Sequence, residues 1–187
     1  MRNVLIVISG PSGAGKGTIA KMLVARNKNI KLSVSCTTRS PRVGEKDGTD
    51  YYFISKEEFT SLAKNNGFLE YSEHFENFYG TPRSFVLEKL KDHDVLLEID
   101  VNGGLNVRKN FEKTVLIMVV PPSLEEVKAR LIKRKTETID KIDLRMQRIE
   151  YEMEKAKDYD YVVVNDELNV AVDKIEKIIL MEKEKEN

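Results

Sequence analysis

At 187 residues the chain is long enough for one domain with a real core, and 31 Lys plus Arg against 31 Asp plus Glu leave it with no net charge. That balance removes any global electrostatic argument for a nucleic-acid or membrane-surface binder. One cysteine, Cys36, excludes an intrachain disulfide, and the longest apolar run, residues 115–120, is far too short to span a bilayer; with no signal-peptide layout at the N-terminus, a cytoplasmic protein without a membrane partner is expected.

Residues 4–8 (Val-Leu-Ile-Val-Ile) form an apolar run of the kind buried on both faces of a sheet. They feed Gly10-Pro11-Ser12-Gly13-Ala14-Gly15-Lys16-Gly17-Thr18, after which helical spacing covers 18–25. Glycines at 10, 13 and 15 let backbone amides turn inward toward phosphate oxygens, and Lys16 adds a mobile charge. The helix start adds unpaired N–H groups and the positive end of its dipole. Strand, loop and helix in this order mark a triphosphate-binding loop. In G-x-x-x-x-G-K-[ST] the last position offers a hydroxyl to Mg²⁺; here it is Gly17, with Thr18 one residue late.

Residues 33–80 break the rhythm of strand and helix. Ser40-Pro41, Gly44 and Gly48 are loop chemistry, Ser55 with Glu58 is spaced as a capping box for a helix over 56–65, and the aromatic, acidic stretch 68–79 is predicted to form short antiparallel strands. Arg39 and Arg42 flank Pro41, a layout able to clamp a small dianion, with Tyr51 and Tyr79 as further donors; solvated loop arginines are the plain alternative. Thr81-Pro82 reads as N-cap and N1 of a helix over 82–91.

Further apolar strands are predicted at 95–99, 115–120 and 161–164. Asp100 follows the first of these, where open parallel sheets place ligands. Ser123 and Glu126 cap a helix over 124–134, and another helix covers 170–182. Between them, the basic stretch 133–148 with Thr136-Glu137-Thr138 at its tip reads as a cover, and 182–187 as a solvated, fraying helix end. The alternation argues a parallel sheet wrapped by helices. His74 and His93 are the only histidines, so a transition-metal site is not expected, and Cys36 reads as a small packing residue.

Several short motifs then occur in one order over nearly the whole length: Gly10 to Lys16, Ser35 to Arg42, Gly44-Glu45, Gly48 with Asp50-Tyr51, Phe68-Leu69-Glu70, Tyr79-Gly80, Glu98-Ile99-Asp100, Pro121-Pro122-Ser123 and Val164-Asn165-Asp166. Together they resemble the guanylate kinase family of P-loop nucleoside monophosphate kinases. The resemblance implies an α/β fold in one domain. It has a three-layer P-loop NTPase core with a parallel sheet (1–32, 81–130 and 150–187), an inserted GMP-binding subdomain (33–80) and a helical lid (about 131–149).

It further implies transfer of the γ-phosphoryl of ATP to GMP, giving ADP and GDP, with dGMP as a further acceptor and Mg²⁺ accompanying ATP. ATP would lie on Gly10, Pro11, Ser12, Gly13, Ala14, Gly15, Lys16, Gly17 and Thr18. The GMP phosphate would meet Arg39, Arg42, Tyr51 and Tyr79, and guanine would face Ser35, Glu70, Thr81 and Asp100, with Glu98 in the same GMP-binding set. Catalysis would rest on Lys16, Arg39, Arg134 and Arg145, with Arg148 able to join them and Asp100 reaching Mg²⁺ through water. Guanine's N1–H and exocyclic amine are donors that ionised Glu70 and Asp100 can accept, whereas adenine would present a lone pair to them.

Lys135 stands where the family often has Gly. Two other readings remain open: a kinase for another nucleoside monophosphate, because Gly15-Lys16-Gly17-Thr18 also resembles the loop ending of adenylate kinases, and a non-catalytic protein-binding module. Homo-oligomerisation is also open.

Overall fold

The computed structural model of the chain describes residues 3–74, 76–133 and 139–185. Strand β1 (Leu5–Ser9), helix α1 (Lys16–Arg26) and strand β2 (Ile30–Leu32) open the chain. Strands β3 (Cys36–Thr37) and β4 (Tyr52–Phe53), helix α2 (Lys56–Lys64), and strands β5 (Phe68–His74) and β6 (Asn77–Pro82) follow. The remainder is α3 (Arg83–Lys89), β7 (Asp94–Glu98), α4 (Val101–Asn110), β8 (Thr114–Val120), α5 (Leu124–Lys133), α6 (Ile139–Glu154), a 3₁₀ turn at Lys155–Asp158, β9 (Tyr161–Val164) and α7 (Leu168–Glu184).

Five strands make one parallel sheet in the order β2-β7-β1-β8-β9. Side chains alternate across a strand, so each central strand serves two cores. Ile6, Ile8, Ile117 and Val119 pack with Ile19 and Leu23 of α1 and Val172 and Ile175 of α7. Their neighbours Leu5, Val7, Leu116 and Met118 face the other way, against Val86, Val101 and Val107 of α3 and α4. Burial on both faces is why these strands read as unbroken apolar runs.

A second sheet, in the order β4-β3-β6-β5, lies wholly within residues 36–82. Its own small core packs Phe59 of α2 on Phe68 and Phe78, with ring centroids 4.4 and 5.4 Å apart. Cys36 is buried in that cluster, and burial pushes its thiol up to about 11, as suits an unreactive packing residue. Helices α5 and α6 meet through Val127, Ile142, Met146 and Ile149. Among the described residues no helix is long and apolar enough to cross a membrane.

Four details differ from the sequence-based expectations. The parallel sheet has a fifth strand, β2, too short and too interrupted by Lys31 to show as an apolar run. The inserted strands are not all antiparallel, since β3 pairs with β4 in parallel. Thr81-Pro82 does not start a helix: both residues complete β6, α3 begins at Arg83, and the Thr81 hydroxyl is taken by Glu70 rather than by a helix N–H. The C-terminal turn of α7 is anchored, because Lys183 donates to the fully buried Asp94 at 2.7 Å and Glu182 bonds the Tyr161 hydroxyl. The tip at 136–138, Lys135, and Glu186 and Asn187 lie outside the described residues.

Candidate active site

The parallel strands bring their C-terminal ends to one edge, where the loop after β1 and the acids after β7 meet. Gly10 takes φ +148°, and a Cβ there would collide with the Val119 carbonyl; Gly15, at φ +89°, leaves no room for one against the Asn165 amide. Asn165, just beyond β9, donates from Nδ2 to the Ala14 carbonyl at 2.7 Å and from its backbone to Val120 at 2.8 Å. It braces the loop from the neighbouring strand, a role visible in the sequence only as membership of a motif. Lys16 Nζ donates to the Gly10 and Pro11 carbonyls at 2.7 and 3.1 Å. Burial pulls its pKa down, while the carboxylates of Glu98, Glu152 and Asp100 oppose the shift.

A cavity of about 400 Å³ opens beside this loop. Gly10, Ser12 and Lys16 reach it from the loop and α1, and Glu98, Ile99 and Asp100 from the end of β7. Ser35, Arg42 and Tyr51 come from the segments around β3 and β4, Glu70, Ser72 and Tyr79 from the β5–β6 hairpin, and Arg148, Ile149 and Glu152 from α6. Thus most of the predicted nucleotide-binding residues that are far apart in sequence share one concave surface.

Four acidic residues, Glu70, Glu98, Asp100 and Glu152, line the cavity. Glu70 is buried, accepts from the Thr81 hydroxyl at 2.7 Å, and is pushed up to about 7 by burial, with the Thr81 bond pulling the other way. Asp100 caps α4: its Oδ1 accepts from the Asn102 and Gly103 N–H groups at 2.9 and 3.1 Å. Its Oδ2 accepts from the Ser72 hydroxyl at 3.1 Å. Gly103 lets both acids approach, for a Cβ there would lie 3.0 Å from Glu70 Oε2 and 3.4 Å from Asp100 Oδ2.

The two arginines of the proposed clamp differ. Arg42 is exposed and lines the cavity. Arg39 instead forks onto Glu45 through two 3.0 Å bonds and packs over the Tyr51 and Phe53 rings, 5.5 and 5.8 Å from their centroids. The same Glu45 carboxylate accepts from the Arg42 backbone at 2.7 Å, so it ties the turn together. Tyr51 and Tyr79 meet edge to face at 5.9 Å. Thr81 is buried behind Glu70 rather than on the cavity surface. Arg148, reaching from α6, bonds Glu152 at 2.9 Å while both line the cavity. Arg134 and the Arg145 side chain lie outside the described residues.

Among the described residues no three His, Cys, Asp or Glu side chains gather as a metal-binding group. A Cβ on Gly17 would stand 3.3 Å from Glu98 Oε2, so a carboxylate faces the loop position that lacks a hydroxyl.

A model of the guanylate kinase family matches residues 2–182. The chain belongs to the guanylate kinase family. It is 48% identical to the guanylate kinase of Caldanaerobacter subterraneus subsp. tengcongensis over 97% of this chain and 89% of that one, and 51% identical to that of Clostridium tetani over 97% and 88%. The crystal structure of guanylate kinase from Anaplasma phagocytophilum superposes with a TM-score of 0.83 at 35% identity, covering 99% of this chain and 88% of the other. Shikimate kinase from Bacteroides thetaiotaomicron, at 16% identity and a TM-score of 0.55, shares the fold alone, over 95% and 98% of the two chains. In this member of the family, then, the phosphate loop and the carboxyl groups of Glu70, Glu98 and Asp100 line one cavity.

Proposed function

We propose that the chain transfers the γ-phosphoryl group of ATP to GMP, giving ADP and GDP, as a cytoplasmic enzyme acting on free nucleotides. The observation that carries the acceptor assignment is the pair Glu70 and Asp100 in the same cavity as Lys16. A carboxylate only accepts, and guanine alone among the common bases presents adjacent donors at N1 and an exocyclic amine. Adenine would leave acceptor against acceptor in a half-enclosed site, an arrangement costing a few kcal/mol.

The chemistry asks the protein for alignment, charge neutralisation and exclusion of water. The loop amides and Lys16 hold the donor phosphates, the ammonium exchanging the Gly10 and Pro11 carbonyls for phosphate oxygens. Arg42, Tyr51 and Tyr79 hold the acceptor phosphate, with Arg39 fixing the Tyr51 ring and the turn from behind. Arg148 approaches from α6, and Arg134 and Arg145 are proposed to close over the transferring group with it. Asp100 and Glu70 read the base. Mg²⁺ accompanying ATP would supply charge neutralisation at the phosphates. Glu98 beside Gly17, and Asp100, suit an ion that keeps most of its waters.

ADP release measured with GMP, AMP or UMP as acceptor tests the reading. Turnover confined to GMP is expected. Equal use of AMP would remove Glu70 and Asp100 from base selection, and absence of GMP-dependent turnover would overturn the function.

A further inference from the structure

We propose that Ser72 is a positioning residue for base recognition, holding the Asp100 carboxylate in the orientation that accepts from guanine. The inference rests on the base-reading role proposed for Asp100.

Ser72 follows Glu70 by two residues on β5, so both side chains leave the same face of the strand, and both line the cavity. Its hydroxyl donates to Asp100 Oδ2 at 3.1 Å. Asp100 Oδ1 is committed to the N–H groups of Asn102 and Gly103 at the start of α4. The carboxylate is therefore anchored to the core through one oxygen and to the inserted sheet through the other. Rotation about its terminal bond would break bonds at both ends.

Two consequences follow. The Ser72 donor, with the α4 cap on Oδ1, holds the plane of a carboxylate that lines the cavity. It also stabilises charge on Asp100 beside Glu70, a second carboxyl only a glycine away: Gly103 is in close reach of both Glu70 Oε2 and Asp100 Oδ2. Without the hydroxyl, Asp100 would retain its helix cap and lose the bond to the inserted sheet. The link also joins the inserted sheet to the core, because Ser72 belongs to β5 and Asp100 is the N-cap of α4, two residues beyond β7. Closing or opening of the inserted sheet against the core would then be felt at the base-reading oxygen.

Titration calorimetry of GMP, AMP and ATP on the full chain tests this. Ser72→Ala should weaken GMP about tenfold, the size expected for one hydrogen bond to a charged group, and leave ATP unchanged. Ser72→Thr keeps the hydroxyl on a strand that favours β-branched residues, and should bind GMP within about twofold of wild type. On an Asp100→Asn background, Ser72→Ala should add little, because the two residues act through one contact. Unchanged GMP affinity in Ser72→Ala, parallel loss of ATP, equal loss in Ser72→Thr, or a full additional loss on Asp100→Asn would each overturn the role of Ser72. Wild-type protein that bound AMP as well as GMP would instead overturn the reading of the pocket itself, and the role of Ser72 with it.

Discussion

Glu70 and Thr81 sit directly opposite each other on β5 and β6, and the Thr81 hydroxyl donates to Glu70 Oε1 at 2.7 Å with both residues buried. Burial raises the Glu70 carboxyl from an ordinary 4.5 to about 7, the Thr81 bond only partly opposing it. Such a group binds its proton more tightly folded than unfolded, so between pH 4.5 and 7 the folded chain holds the extra proton. Stability therefore falls as pH rises through that window, by at most about 3 kcal/mol. GMP affinity should run the opposite way, rising as Glu70 ionises and becomes an acceptor. Glu70→Gln, which keeps the bond to Thr81, should flatten the stability profile, raise stability at pH 8 and abolish GMP preference. Thermal melts and GMP titrations across pH 5 to 8 check both signs, and parallel profiles would separate Glu70 from base binding.

Gly103 offers a test that separates binding from folding. A methyl group at this position would meet Glu70 Oε2 at 3.0 Å and Asp100 Oδ2 at 3.4 Å, and neither acid is free to yield, one being held by Thr81 and the other by the α4 cap. Gly103 lies in the first turn of α4, where alanine's helical preference over glycine, at most the about 1 kcal/mol of a helix interior, offsets part of the crowding. Gly103→Ala should therefore melt within a few degrees of wild type and bind GMP at least tenfold more weakly. Wild-type GMP affinity would show that the acids can move apart at little cost.

Arg42 and Arg39 should fail in different ways. Arg42 is exposed and lines the cavity, so Arg42→Ala should raise KM for GMP by about 10- to 100-fold, leave KM for ATP alone and leave the melting temperature unchanged. Arg39 forks on Glu45 and packs on Tyr51 and Phe53, so Arg39→Ala should weaken GMP and lower the melting temperature together. Steady-state kinetics with each substrate varied, beside a thermal melt, distinguish the two. Identical behaviour would return both arginines to a single clamp.

What was legible in the sequence follows from the range of the interactions. Residues 4–8 and 115–120 announce strands because burial on both faces demands an unbroken apolar run, and Ser55 with Glu58 announces a cap because its partners are three residues apart. Ile30-Lys31-Leu32 was hidden because a three-residue strand leaves no period to read. Thr81 misled for a different reason: a threonine before proline suits a helix start, yet the strand pairing brings Glu70, 11 residues away, to its hydroxyl. The fork between Arg39 and Glu45 and the brace from Asn165 to the phosphate loop depend likewise on how the turn and the sheet fold, so residue type alone could suggest a cation and a motif, but not which side chain faces the cavity.

The anchoring of α7 gives the last prediction. Asp94 is fully buried at the start of β7, where Oδ1 accepts from the Val4 N–H at 3.0 Å and Oδ2 from Asn29 at 2.9 Å and Lys183 at 2.7 Å. Lys183 itself is almost enclosed, its side chain 13% exposed. One acid thus joins the residue before β1, the segment before β2, β7 and the last turn of α7. Removing the ammonium leaves a buried carboxylate with two neutral donors, a change of the kind that costs about 3–5 kcal/mol. Lys183→Met should lower the urea midpoint accordingly, while Asp94→Asn with Lys183→Met, which leaves no buried charge, should lose less than the sum of the single changes. The pair lies at the opposite ends of the strands from the phosphate loop, so KM for both nucleotides should stay at wild-type values in conditions where the variant is folded. A shift in the GMP constant alone would mean that the sheet transmits the loss to its far edge.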